Sequence, residues 1–388
     1  MVPYGRRQAG IYRRRRVLAL VVVSLLIVLP WCAATRARGG GGPVETDRAA
    51  ALTTTTSGPP GTPSACRQKA AKLTTRQRVA MLTMEGVDGN DLGALSAVVG
   101  RADRPGGVFI RNGQDVWRYH SFAHPRPDGL PLLVAVDDEG GRVHPMRGTL
   151  GDLPSAADRG GVAAKDLQAQ ATARGRQLKA LGVDVVFAPV ADVGTGGGIG
   201  DRSFGGDPAT VTRAAGAWAA GLRAAGVLPV LKHFPGEGHA TSDPHDGPTL
   251  TPVLEQLRAT DLKPYETLLD DGPVGVMIGH LDVPGLTPPG VPASLSPDAI
   301  GLLRGAYDFD GLVVTDDLVG MKAVRSRFDL PQAPERALAS GADLLLFSDR
   351  VDIGPVLDRL ADAVTKGRVP AHRVEAALDR VLTAGGCS

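Results

Sequence analysis

No basic stripe runs along this sequence, and its charge is unevenly placed. Eight of the 43 Lys and Arg residues and none of the 41 Asp and Glu residues fall within residues 1–42, so the rest carries 35 basic against 41 acidic side chains, a balance of −6 behind an overall +2. A mildly acidic body without a basic face excludes a nucleic-acid partner held by phosphate contacts. No Gly-rich turn of the dinucleotide-binding kind follows any candidate strand, so a doubly wound cofactor-binding sheet lacks its fingerprint. Long apolar runs are scarce too. The one near the N-terminus, Val17 to Trp31, has 15 residues, and a spanning helix needs about 20. Cysteine occurs three times, at Cys32, Cys66 and Cys387.

What is present at the N-terminus is four arginines, Arg13 to Arg16, directly before that apolar run. A charged stretch followed by a short hydrophobic one is the pattern of a secretory signal. Residues 1–36 are therefore read as a signal peptide or retained membrane anchor, with cleavage near Ala33-Ala34 or Ala37. Cys32 as a lipid site is disfavoured by Leu29-Pro30-Trp31, where a lipobox has small residues. Residues 37–65 are Gly, Thr, Pro and Ala in low-complexity order and read as a disordered linker. Residues 66–388 remain for a single catalytic domain. The expectation is an exported protein, extracellular or attached to the cell envelope, that meets a membrane only through its N-terminal segment.

From Thr74 onward, apolar runs alternate with helical stretches, which predicts βα units and a parallel sheet. Candidate strands are 81–86, 107–110, 132–136, 183–187, 228–233, 274–278, 312–315 and 344–347. Helix-like segments such as 164–181 and 208–225 lie between them, and Asp207-Pro208 reads as an N-cap followed by Pro in the first turn. Eight strands over this length predict an α/β fold of the (β/α)8, TIM-type barrel kind. An open doubly wound sheet is the competing architecture. In a closed barrel the first and last elements are neighbours, so Cys66 and Cys387 are expected to form a disulfide if the protein is exported.

Barrel enzymes keep their chemistry at the C-terminal ends of strands, and the densest such end is Lys232-His233-Phe234-Pro235-Gly236-Glu237-Gly238-His239-Ala240-Thr241-Ser242-Asp243-Pro244-His245. Asp243 and His245, two apart, can pair so that the carboxylate fixes the imidazole tautomer and raises the basicity of the other nitrogen. Lys232 and His233 sit at the strand tip as donors for hydroxyls. A zinc site from His239, Asp243 and His245 has the right ligand types and stays open at this point. Three further strand ends carry acids or a forked donor. These are Asp137-Asp138-Glu139-Gly140-Gly141-Arg142-Val143, the stretch around Arg202, and Val313-Val314-Thr315-Asp316-Asp317. Arg202 suits hydroxyls and acyl oxygens, although an Arg beside an Asp is more often a salt bridge. His280, which ends the sixth strand, reads as structural.

Taken together, Lys232 to His245, Asp316 to Met321, Asp137 to Val143 and Arg202 to Pro208 resemble glycoside hydrolase family 3, in its single-domain β-N-acetylhexosaminidase branch. The resemblance covers roughly residues 70–385. It departs where the family usually has a histidine in place of Glu237, and Ser or Thr in place of Pro244. It implies a retaining glycosidase acting on N-acetylglucosamine-containing glycans such as peptidoglycan fragments. Asp316 would be the nucleophile, His245 the acid/base and Asp243 its partner, with Asp137, Arg202, Lys232 and His233 holding the sugar. The family often places a sugar-binding Arg where Pro145 stands, with Arg147 two residues on. The chain ends soon after its eighth candidate strand, so the sandwich domain of many relatives is expected to be missing. The chemistry requires neither a metal nor an organic cofactor. An imidazole acid/base also adds no anion beside Asp316, so phosphate is expected to compete with water as acceptor. A β-glucosidase and an inactive sugar-binding envelope protein are the alternatives.

Overall fold

The computed structural model describes residues 64–112 and 128–387. The signal or anchor segment and the linker up to residue 63 lie outside the described residues. Eight parallel strands form the barrel: β1 (Thr83–Val87), β2 (Gly107–Ile110), β3 (Leu133–Val136), β4 (Val185–Val186), β5 (Leu228–Phe234), β6 (Gly275–Ile278), β7 (Val313–Thr315) and β8 (Leu345–Phe347). Their hydrogen-bonded order is β8-β1-β2-β3-β4-β5-β6-β7. The ring closes where Val314 of β7 bridges Leu344, with the Thr315 amide donating to the Leu344 carbonyl at 3.0 Å. This is the expected barrel, and every strand lies within two residues of its predicted limits.

The strands read as continuous apolar runs because both faces are covered, by helices outside and side chains within. The departures are few. Glu85 of β1 is buried but paired with Arg101 at 2.9 Å, and β5 carries the buried pair Lys232 and His233 just before its last residue, Phe234. β4 is short for a chemical reason. Its ladder runs to Phe187, whose amide donates to the Val136 carbonyl at 2.9 Å. Pro189 has no N–H to continue it, and pairing resumes at Val190 opposite Lys232.

Four helices brace the barrel around the site and the chain ends. These are α1 (Ala65–Ala71), α2 (Ala164–Ala180), α3 (Pro208–Ala224) and α4 (Ala371–Ala384). Asp207 caps α3, accepting from the Thr210 amide at 2.9 Å, with Pro208 in the first turn. Gly221 lets α3 lie against α2, because a Cβ there would stand 2.5 Å from the Ala171 methyl and from the Gln168 carbonyl. Cys66 on α1 is bonded to Cys387 beyond α4, with their Cα atoms 6.1 Å apart.

Candidate active site

The C-terminal ends of β3, β4, β5 and β7 bring most of the singled-out side chains into one cluster. At its floor, Lys232 places Nζ 2.6 Å from Asp137 Oδ1 and 2.5 Å from Glu139 Oε1. Arg202 grips the same Glu139 with Nε at 2.8 Å and Nη2 at 2.9 Å. The forked guanidinium suits a carboxylate in this way. Glu139 is thus the hub. Burial opposes its charge, but Lys232 and Arg202 outweigh burial and hold the carboxyl well below the usual range. Sequence reasoning singled out Asp137 and missed Glu139. The signal was there, since residues two apart in an extended strand end face the same way. Asp138, pointing oppositely, is buried against Arg174 at 2.7 and 2.9 Å and is structural.

A second missed residue is Asp192, fully buried beyond β4. Its carboxylate accepts from His233 Nδ1 at 2.7 Å and from the backbone amides of His233 at 3.2 Å and Glu237 at 2.7 Å. His233 Nε2 faces Arg202 Nη2 at 3.3 Å. Nη2 can only donate, so in this geometry Nε2 offers its lone pair and the proton sits on Nδ1, while against the effect of burial Glu237 and Asp192 push the pKa of the imidazole up. The donors of Lys232, Arg202 and His233 are therefore largely spoken for by carboxylates within the chain, and Asp137 is the most open member of the group.

Asp316 follows β7, its amide bonded to the Ile278 carbonyl at 3.0 Å. One carboxylate oxygen accepts from the Asp317 amide at 2.8 Å, while Oδ2 is buried with no hydrogen bond. Burial pushes this acid up, but His233, His280, the Asp317 amide and Lys232 together bring it below the usual range, so it is ionised. Its neighbour is different. The Asp317 carboxylate accepts from the amides of Val319, Gly320 and Ser348 and from the Ser348 hydroxyl, at 2.6 to 3.1 Å. His280 is buried, accepts from the Ser294 hydroxyl at 2.7 Å and donates to the Asp317 carbonyl at 2.8 Å. That bracing fits its reading as structural.

The Asp243–His245 pair is formed, Nδ1 to Oδ1 at 2.7 Å, on an outward loop where the imidazole is 59% exposed. The loop is tied at two points. The Ala323 amide donates to the Pro244 carbonyl at 3.0 Å, which fastens His245 to the segment seven residues past Asp316. On the other side Gly198, at φ +82°, lies so close to the Asp243 carboxylate that any Cβ would collide with it. The hydrogen bonds of Asp243 to the amide and imidazole of His245 outweigh its partial burial and keep it ionised. His239 turns instead to Asp261, Nδ1 to Oδ2 at 2.8 Å, and among the described residues no three His, Cys, Asp or Glu side chains converge as metal ligands. The zinc alternative from His239, Asp243 and His245 is therefore dropped. Arg147 pairs with Asp152 at 2.8 Å and is 60% exposed.

In chemical terms, the strand ends and loops offer one buried, ionised and unpaired carboxylate oxygen, a rim imidazole on a carboxylate, and a floor of fixed charges. Comparison with known proteins finds relatives over most of the chain. The family described as "Glycosyl hydrolase family 3 N terminal domain" matches residues 84–384. The beta-hexosaminidase LpqI of Mycobacterium tuberculosis is 44% identical over 340 residues, 84% of this chain and 87% of that one. Its solved structure aligns with a TM-score of 0.78, covering 84% of this chain and 98% of that one. The beta-N-acetylhexosaminidase of Beutenbergia cavernae, 31% identical, aligns with a TM-score of 0.73 over 81% of this chain and 99% of its own.

Proposed function

Because the chain belongs to glycosyl hydrolase family 3, we propose that it is an exported, retaining β-N-acetylhexosaminidase that releases terminal β-linked N-acetylglucosamine from glycans, cell-wall fragments among them. The observation that carries the reading is Asp316 Oδ2, buried, ionised and without a partner. A buried unpaired carboxylate oxygen is costly to keep, and a nucleophile must be free.

In the first half-reaction Asp316 attacks the anomeric carbon, the glycosidic C–O bond breaks, and protonated His245 gives its Nε2 proton to the leaving oxygen. In the second, neutral His245 takes a proton from water as the hydroxide oxygen displaces the Asp316 ester. Asp243 on Nδ1 holds the imidazole in place and stabilises its charged form. Asp137, Arg202, Lys232 and His233 shape the sugar pocket. A chromogenic N-acetylglucosaminide should be hydrolysed and its glucoside counterpart should not. Preference for the glucoside would support the β-glucosidase alternative, and hydrolysis of neither would support a sugar-binding protein.

The acceptor is the finer part of the reading. After the first half-reaction His245 carries no charge, whereas a carboxylate there would repel anions. Two unit charges about 4 Å apart interact by about 4 kcal/mol at an effective dielectric of 20. Phosphate should then compete with water and give a sugar 1-phosphate. Lys232 and Arg202 add less attraction than their charges suggest, since Asp137 and Glu139 already pair with them. Product analysis with rising phosphate is the check, and free sugar alone at saturating phosphate would refute it. Export is supported by the signal-like pattern of residues 1–36 and by the disulfide. Fractionation of the host into cytoplasmic and exported pools tests it.

A further inference from the structure

Glu237 is a buried carboxyl group in the cluster that the proposed mechanism leaves without a task. Its backbone is fixed, because the amide donates to Asp192 at 2.7 Å. Its side chain is not. Among the described residues neither carboxyl oxygen makes a hydrogen bond, and His233 Nδ1, at 3.6 Å, is already engaged by Asp192. The group lies among His233 on β5, Asp192 beyond β4, Arg202 on the following loop and Asp316 beyond β7, close enough to interact with each of their charges. It therefore borders the space where the sugar must sit.

The donor inventory of that space explains why another donor is useful. Glu139 and Asp316 are ionised and only accept, Asp137 already accepts from Lys232, and the donors of Lys232 and Arg202 are largely committed to carboxylates. A sugar bearing an acyl carbonyl has an oxygen that can only accept. We propose that Glu237 is a further substrate-binding residue, a protonated carboxylic acid whose O–H donates a hydrogen bond to an oxygen of the bound N-acetylhexosamine. The inference rests on the proposed hexosaminidase function. Burial pushes the Glu237 acid up, opposed by His233 and Arg202 and reinforced by Asp192 and Asp316, to about 8, so it carries its proton at neutral pH.

The test is the affinity for N-acetylglucosamine, measured by calorimetry from pH 5 to 9.5 on the whole protein, which needs no turnover and hence no His245 chemistry. Wild-type affinity should be level to about pH 7 and fall roughly tenfold by pH 9, as the donor is lost. Glu237→Ala should bind at least about tenfold more weakly at pH 6. Glu237→Gln keeps a donor and cannot ionise. It should bind within about threefold of wild type at pH 6 and show no fall at pH 9. Three results would overturn the inference alone: a level wild-type profile, a Gln variant as weak as the Ala variant, or the same alkaline fall persisting in the Gln variant, which would assign the titration to His233. A wild-type protein that neither binds nor hydrolyses the sugar at any pH would overturn the functional reading, and this inference with it.

Discussion

Asp316 and Asp317 are adjacent acids at one strand end, and their hydrogen bonds assign them opposite tasks. Asp317 is saturated by three amides and a hydroxyl, whereas Asp316 keeps one oxygen bare. Asp316→Ala should cut kcat by roughly a thousandfold or more while leaving Tm nearly unchanged. Asp317→Ala should instead lower stability by about 1–3 kcal/mol, from the donors left unpaired. Paired rate and melting measurements check both, and an active Asp316→Ala enzyme would refute the assignment. The two buried glutamates bear oppositely on stability. Glu139 has a depressed pKa, so its contribution is present above the ordinary range near 4.3 and lost as pH falls through the depressed value. Glu237 is raised to about 8, so its contribution is full below the ordinary range and lost as pH climbs through about 8. Glu237→Gln should therefore melt progressively above wild type between pH 5 and 9, and a gap independent of pH would count against the shift.

At the scale of elements, the acid/base loop is positioned by its neighbours rather than by its own sequence. Gly198 stands against the Asp243 carboxylate at φ +82°, in the region an L side chain enters at a cost of about 1–2 kcal/mol. Gly198→Ala should displace the Asp243–His245 pair and lower kcat about 10- to 100-fold, with KM moving less. Gly226, at φ +76° with open space around it, is the control. Its Ala variant should show the loss in Tm without the loss in kcat, and equal kinetic damage in both would dismiss the positioning role. Strand periodicity and turn residues made all eight strands legible in the sequence, because a parallel barrel requires continuous apolar runs. The Asp243–His245 pair was legible because it is local. Asp192 was not, since an acid in an apolar stretch carries no local sign of the His233 imidazole it will meet on the neighbouring strand. Glu237 was visible only as a departure from a family pattern. The shift that gives it meaning comes first from burial and then from Asp192 and Asp316 on other strand ends, none of which its own stretch of sequence displays.

Among the described residues, the first helix and the last residue of the barrel domain are covalently joined. Apart from Cys32, denatured unreduced protein should show no reactive thiol, and two more per chain would exclude the bridge. Removing the bridge with Cys66→Ser should lower Tm by about 3–8 °C, less than the same loss in a small domain. The bond also changes the topology of the polymer. With Cys66 and Cys387 joined across a sequence separation of 321, the chain between them is a closed ring rather than a line with two ends. A protease that cuts once within the ring opens it but releases nothing. The nicked protein should run as one band without reductant and as two with it. A second cut is needed before any piece of the barrel can leave, so loss of pieces from the oxidised enzyme would scale with the square of protease exposure at early times, not linearly.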